Sequence, residues 1–148
     1  MLTTTTTVQR KFPAGPDGLQ IGDQAGIARM VIPFQIALAG VTDADILTDY
    51  TPGFAGQIVK VDFAVSVAVT TGSKLSTLAV HIGAVATTGG VLALTSANCT
   101  PKGAVVAGTT ITALNVFAAT DTISIVASST TAFIEGAGWI MLQLLASQ

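Results

Sequence analysis

Between Gln57 and Val69 the chain reads Q-I-V-K-V-D-F-A-V-S-V-A-V, its longest clean alternation of large and small side chains. Val59, Val61, Phe63, Val65, Val67 and Val69 occupy the odd positions, with Lys60, Asp62, Ala64, Ser66 and Ala68 between them. A period of two places the large side chains on one face of a strand, whereas a helix would scatter them around its circumference. At roughly 1.5–3 kcal/mol per large apolar side chain, burying all six would contribute about 9–18 kcal/mol before the cost of ordering the chain. The other face is the unusual one. Beyond Lys60 and Asp62 it carries only small side chains, neither a second core nor a charged surface, and what covers it is the functional question.

Further alternation follows the same rule. Arg29 to Ala39 places Met30, Ile32, Phe34, Ile36 and Leu38 on one side, with Pro33 marking an edge or an interrupted ladder. Leu75 to Ala86 turns Leu78, Val80, Ile82 and Ala84 inward, and Thr70 to Ser73 before it has the length of a hairpin turn that would make this strand the neighbour of the first. Shorter strands are expected near Val91 to Cys99, Ala104 to Val106 and Thr110 to Leu114, and longer ones at Asp121 to Ala127 and Ala137 to Ala146. The closing strand sets Ile140, Leu142 and Leu144 against Trp139, Met141, Gln143 and Leu145. Asp43 to Thr48 has room for one helical turn. The sum is an all-β fold, an antiparallel β-sandwich or jelly roll of seven to eight strands. Residues 28–148 form its single domain, and residues 1–27 an extended N-terminal arm whose threonines and Pro16-Asp17-Gly18 turn offer no core period.

Composition narrows the function. Only 9% of the 148 residues are charged and 50% are hydrophobic, with a mean hydropathy of +0.70, so the chain cannot coat itself in charge and is expected to hide surface against copies of itself or a partner. A net charge of −2 leaves no basic stripe for nucleic acid. No apolar run reaches the roughly 20 residues of a membrane span, the single Trp and Tyr do not make the girdles of a membrane barrel, and the first residues lack the basic start and apolar core of a secretory leader.

Chemistry-bearing residues are few. His81 is the single histidine, so a His-based metal site or a catalytic triad would rest on it alone, and a structural or subunit-contact role is expected. Asp43, Asp45 and Asp49 form a carboxylate cluster, but Ile46-Leu47 occupy the place where a calcium loop needs its third ligand and turn glycine. Cys99 has no partner for a disulfide and reads as a buried thiol. No enzyme, no cofactor and no metal site is therefore expected. The contact candidates are Ala64, Ser66 and Ala68 with His81 beside them on the small-residue face, and Arg10, Lys11 and Phe12 on the arm.

The run from G-Q-I-V-K-V-D-F-A-V-S-V-A-V-T-T-G-S through T-T-G-G-V-L-A-L and D-T-I-S-I-V-A-S to G-A-G-W-I-M-L-Q-L-L resembles the small jelly-roll decoration, or cement, proteins of tailed-bacteriophage heads. The likeness spans roughly Pro33 to Leu145 and is carried by strand pattern, small-residue hairpins and low charge. It implies a virion protein on the exterior of the capsid, a homo-oligomer that is commonly a trimer, bound to the major capsid protein and helped by a terminal arm. The family offers no motif that maps single contact residues; Arg10-Lys11 is the one adjacent basic pair in the chain and suits either an acidic patch on a capsid protein or plain solvation of the arm. The alternative is a fibre or tail-tip module recognising a host glycan, with Trp139 and Phe54 as stacking aromatics.

Overall fold

The computed structural model describes residues 27–147. In chain order the strands are β1 (Ile27–Ala37), β2 (Asp45–Tyr50), β3 (Gly56–Val67), β4 (Leu75–Ile82), β5 (Val85–Ala86), β6 (Leu92–Thr95), β7 (Val105–Ala107), β8 (Val116–Phe117), β9 (Ile123–Thr131) and β10 (Ala137–Ser147). Their pairings nest: β1 with β10, β2 with β9, β3 with β7 and β8, and β4 with β5 and β6. Rolling that ribbon on itself lays β10 beside β3 and β9 beside β4, which gives two antiparallel sheets ordered β1-β10-β3-β7 and β2-β9-β4-β5. This is a jelly-roll sandwich.

The count exceeds the expected seven or eight because one outer edge of each sheet is broken in two. The pieces β5, β6, β7 and β8 are two to four residues long, separated by left-handed glycines such as Gly89 and Gly103. Short, interrupted edges offer little template for further pairing. Between the sheets lies one core, with Ile58, Phe63, Ile140 and Leu142 from one side against Leu78, Leu94, Ile123 and Ile125 from the other.

Three local expectations are corrected. The valine ladder is out of phase at both ends of β3. Lys60 pairs with Gln143 and Ile58 with Leu144, leaving Val59 as an extra residue, and Val65 pairs with Gly138 and Val67 with Ala137, leaving Ser66 as another. Each β-bulge shifts the alternation by one position, so Ile58 takes the core place of Val59 and Val67 is 53% exposed. Second, Thr70 to Ser73 is not a hairpin but the crossing from one sheet to the other, turned at Ser73 with φ +62°. Third, Asp43 to Thr48 carries no helical turn. Ile46, Leu47 and Tyr50 pack on the core and β2 pairs with β9, while a 3-10 turn sits earlier, at Leu38–Gly40.

Candidate functional site

The structure separates the residues expected to share a face. Ala64 lies on the outer side of β3, Ser66 in the second bulge and Ala68 just beyond the strand, all half-buried. His81 points outward from β4, between Ser124 and Ala86, on the other sheet. The two surfaces therefore look away from each other across the sandwich. The Ser124 hydroxyl beside His81 is engaged as acceptor of the Asp49 N–H at 3.1 Å. Arg10, Lys11 and Phe12 lie outside the described residues.

The registers lay out the outer side of the β1-β10-β3-β7 sheet row by row. Arg29, Leu145, Gln57 and Val116 share one row, and Val31, Gln143 and Lys60 the next. Then come Pro33, Met141, Asp62 and Ala107, followed by Gln35, Trp139, Ala64 and Val105. The outer side of a half-buried antiparallel sheet is ordinarily polar. Here Val116 is 73% exposed and Trp139 40%, with Val31 and Val105 similarly open to solvent. Where Leu145, Gln57 and Val116 meet, the face opens into a hollow of about 250 Å3, lined also by Gly56, Ala146 and Ser147.

At the middle of this face sits one ion pair, Lys60 Nζ to Asp62 Oδ2 at 2.7 Å. Asp62 is buried although it points outward, and among the described residues its Oδ1 has no hydrogen-bond donor. An acceptor left bare in this way is costly, and more so when it belongs to a charged group.

Glu135 is a second feature that no local sequence signal announces. Its Oε1 accepts from the N–H and hydroxyl of Thr70, at 2.8 and 2.6 Å, and from the N–H and hydroxyl of Thr71, at 2.7 and 2.9 Å. The clasp ties the inter-sheet crossing to the turn before β10. Those donors favour the charged form and lower the carboxyl to about 2 from 4.5. Because the folded-state value is depressed, the stabilisation is whole above about pH 4.5 and is lost as pH falls towards 2. Melting temperatures of wild type and Glu135→Gln are therefore expected to differ most above pH 4.5 and to converge near pH 2; a gap independent of pH would show that the carboxylate charge is not what holds the turn.

Cys99 is fully buried and burial raises its thiol pKa, which makes it inert. Asp43 accepts the Thr130 N–H at 2.8 Å, so it pins a strand end. Among the described residues no cluster of three or more His, Cys, Asp or Glu side chains is placed to hold a metal ion, and no helix is long and apolar enough to cross a membrane. No family model and no curated protein matches this chain. What the geometry offers is a sheet face with large exposed apolar side chains among few charges, a hollow at one end and a partly satisfied ion pair at its centre.

Proposed function

We propose that the protein is a non-enzymatic structural subunit that self-associates and decorates the outside of a tailed-phage capsid, where it binds the major capsid protein and stabilises the head. The observation that carries this reading is the outer side of the β1-β10-β3-β7 sheet, a broad face with three charged residues, Arg29, Lys60 and Asp62, in the four rows described. Such a face loses little charge hydration when covered, and the jelly roll behind it needs none of these side chains for its own core. That face serves self-association, and the head would be stabilised by additive burial of the assembled subunit's remaining surface at capsid junctions. A site occupied at a free concentration a hundred times Kd gains about 2.7 kcal/mol, and repetition over a shell multiplies that gain.

The test is to add the purified full chain to capsids lacking it. Saturable binding and a raised capsid melting temperature are expected. Absence of binding at tens of micromolar overturns the reading, and glycan binding without capsid affinity would replace it with a receptor-binding role.

A further inference from the structure

Resting on that self-associating role, we infer that two copies of this chain pair face to face through the outer side of the β1-β10-β3-β7 sheet, about a two-fold axis that crosses β10 between Met141 and Gln143. A two-fold running across the strands at this point reverses the row order of one copy over the other. The Trp139 row then lies on the Leu145 row, and the Met141 row on the Gln143 row, and each contact occurs twice.

The chemistry of the rows matches under this operation. Trp139 of each copy lies over the hollow of the other, and about 250 Å3 is room for an indole, given that an apolar cavity of about 150 Å3 takes a benzene. Val105 meets Val116, and Val31 meets Pro33, apolar on apolar. Lys60, whose side chain is half exposed and whose ammonium has donors to spare beyond the bond to its own Asp62, meets Asp62 of the second copy, whose Oδ1 has no donor among the described residues. No like charges oppose one another, since Arg29 faces Gln35. A two-fold running along the strands would instead press Met141 onto Asp62 and leave Lys60 against Gln143. Three strands of about eleven residues and the short pieces β7 and β8, about 4.8 Å apart and at about 3.3 Å per residue, give roughly 600 Å2 per copy. Twice that, about 1,200 Å2, reaches the lower end of the range of specific interfaces.

Size exclusion with light scattering, backed by sedimentation equilibrium on the full chain, is expected to find a dimer at micromolar concentration. Trp139→Ala and Val116→Glu are each expected to weaken it by about thirtyfold or more, as loss of a central aromatic or insertion of an unpaired charge does, with unchanged circular dichroism because both side chains lie outside the core. His81→Glu, on the opposite sheet, should leave pairing intact. The double variant Val105→Cys/Val116→Cys should be joined into a linked dimer by a short bis-maleimide able to bridge the about 10 Å between facing sheets, because in one copy the two positions pair with Ala64 and Gln57, roughly 20 Å apart along β3 and beyond the reach of such a linker. A monomer, a trimer, or a dimer indifferent to both face substitutions overturns the pairing. So does a monomer whose face variants lose capsid binding, which would make the capsid protein the occupant. A dimer that binds no capsid overturns the decoration role and leaves the pairing standing.

Discussion

Phe63→Ala is expected to cost about 3–5 kcal/mol, the range for removing a fully buried aromatic ring. That is a large share of the about 5–15 kcal/mol that holds a typical domain together, and it corresponds to a fall in melting temperature of roughly 6–20 °C for a chain of this size. Phe63 is completely buried at the centre of β3, and the sheet is built around its ring. Gly138, on the inward side of the neighbouring β10, gives it room: a Cβ there would run into the ring tip and into the backbone carbonyl of Ala64. The ring could yield by a small rotation, but the carbonyl belongs to the strand and cannot. Gly138→Ala is therefore expected to destabilise by about 1–3 kcal/mol through overpacking. Because the two positions touch, their effects should not add, and Phe63→Leu should recover part of the Gly138→Ala loss without reaching wild type. Urea unfolding of the four proteins measures this. A Gly138→Ala midpoint equal to wild type would mean that the strands separate freely at this point.

Much of this architecture is legible in the sequence because alternation is a local property. The inward set Ile140, Leu142 and Leu144 and the outward set Trp139, Met141, Gln143 and Leu145 are assigned by period alone, and β10 has that orientation. Bulges are not legible in the same way. Ile58 and Val59 are both apolar and β-branched, so nothing in the sequence says which of them fills the core, and the choice is made by the pairing with Gln143 and Leu144. Nor does a four-residue connection reveal whether it closes a hairpin or changes sheet. That choice at Thr70 to Ser73 is reinforced by Glu135, 64 and 65 positions away from the threonines it holds. The candidate face was half visible, since Ala64 and the lack of charge could be read from β3. Its partners Val31, Met141, Trp139 and Val105 come from strands far apart in the chain, and only the registers bring them beside it.

Lys60→Met is expected to destabilise the subunit by about 2–3 kcal/mol, somewhat less than the about 3–5 kcal/mol of breaking a fully buried pair, because the Lys60 side chain is 51% exposed and water already screens it. The substitution leaves the Asp62 side chain, only 5% exposed, with neither oxygen bonded to a donor among the described residues. Replacing both members, Lys60→Met/Asp62→Leu, removes the charge and the bare acceptor together. That double variant is expected to match wild type or to exceed it by about 1 kcal/mol, as hydrophobic replacements of buried ion pairs often do. Thermal melts of the single and double variants decide the matter, and a double variant weaker than Lys60→Met alone would mean that Asp62 is well satisfied after all. If the double variant is the more stable subunit, the ion pair does not serve the fold of one chain. Its place at the centre of an apolar face then has its use in alignment, because a greasy surface can slide over a copy of itself whereas two Lys60–Asp62 pairs fix one register. In the paired form, the double variant should accordingly gain stability and lose a defined two-fold, with the Val105→Cys/Val116→Cys crosslink forming less efficiently in its background.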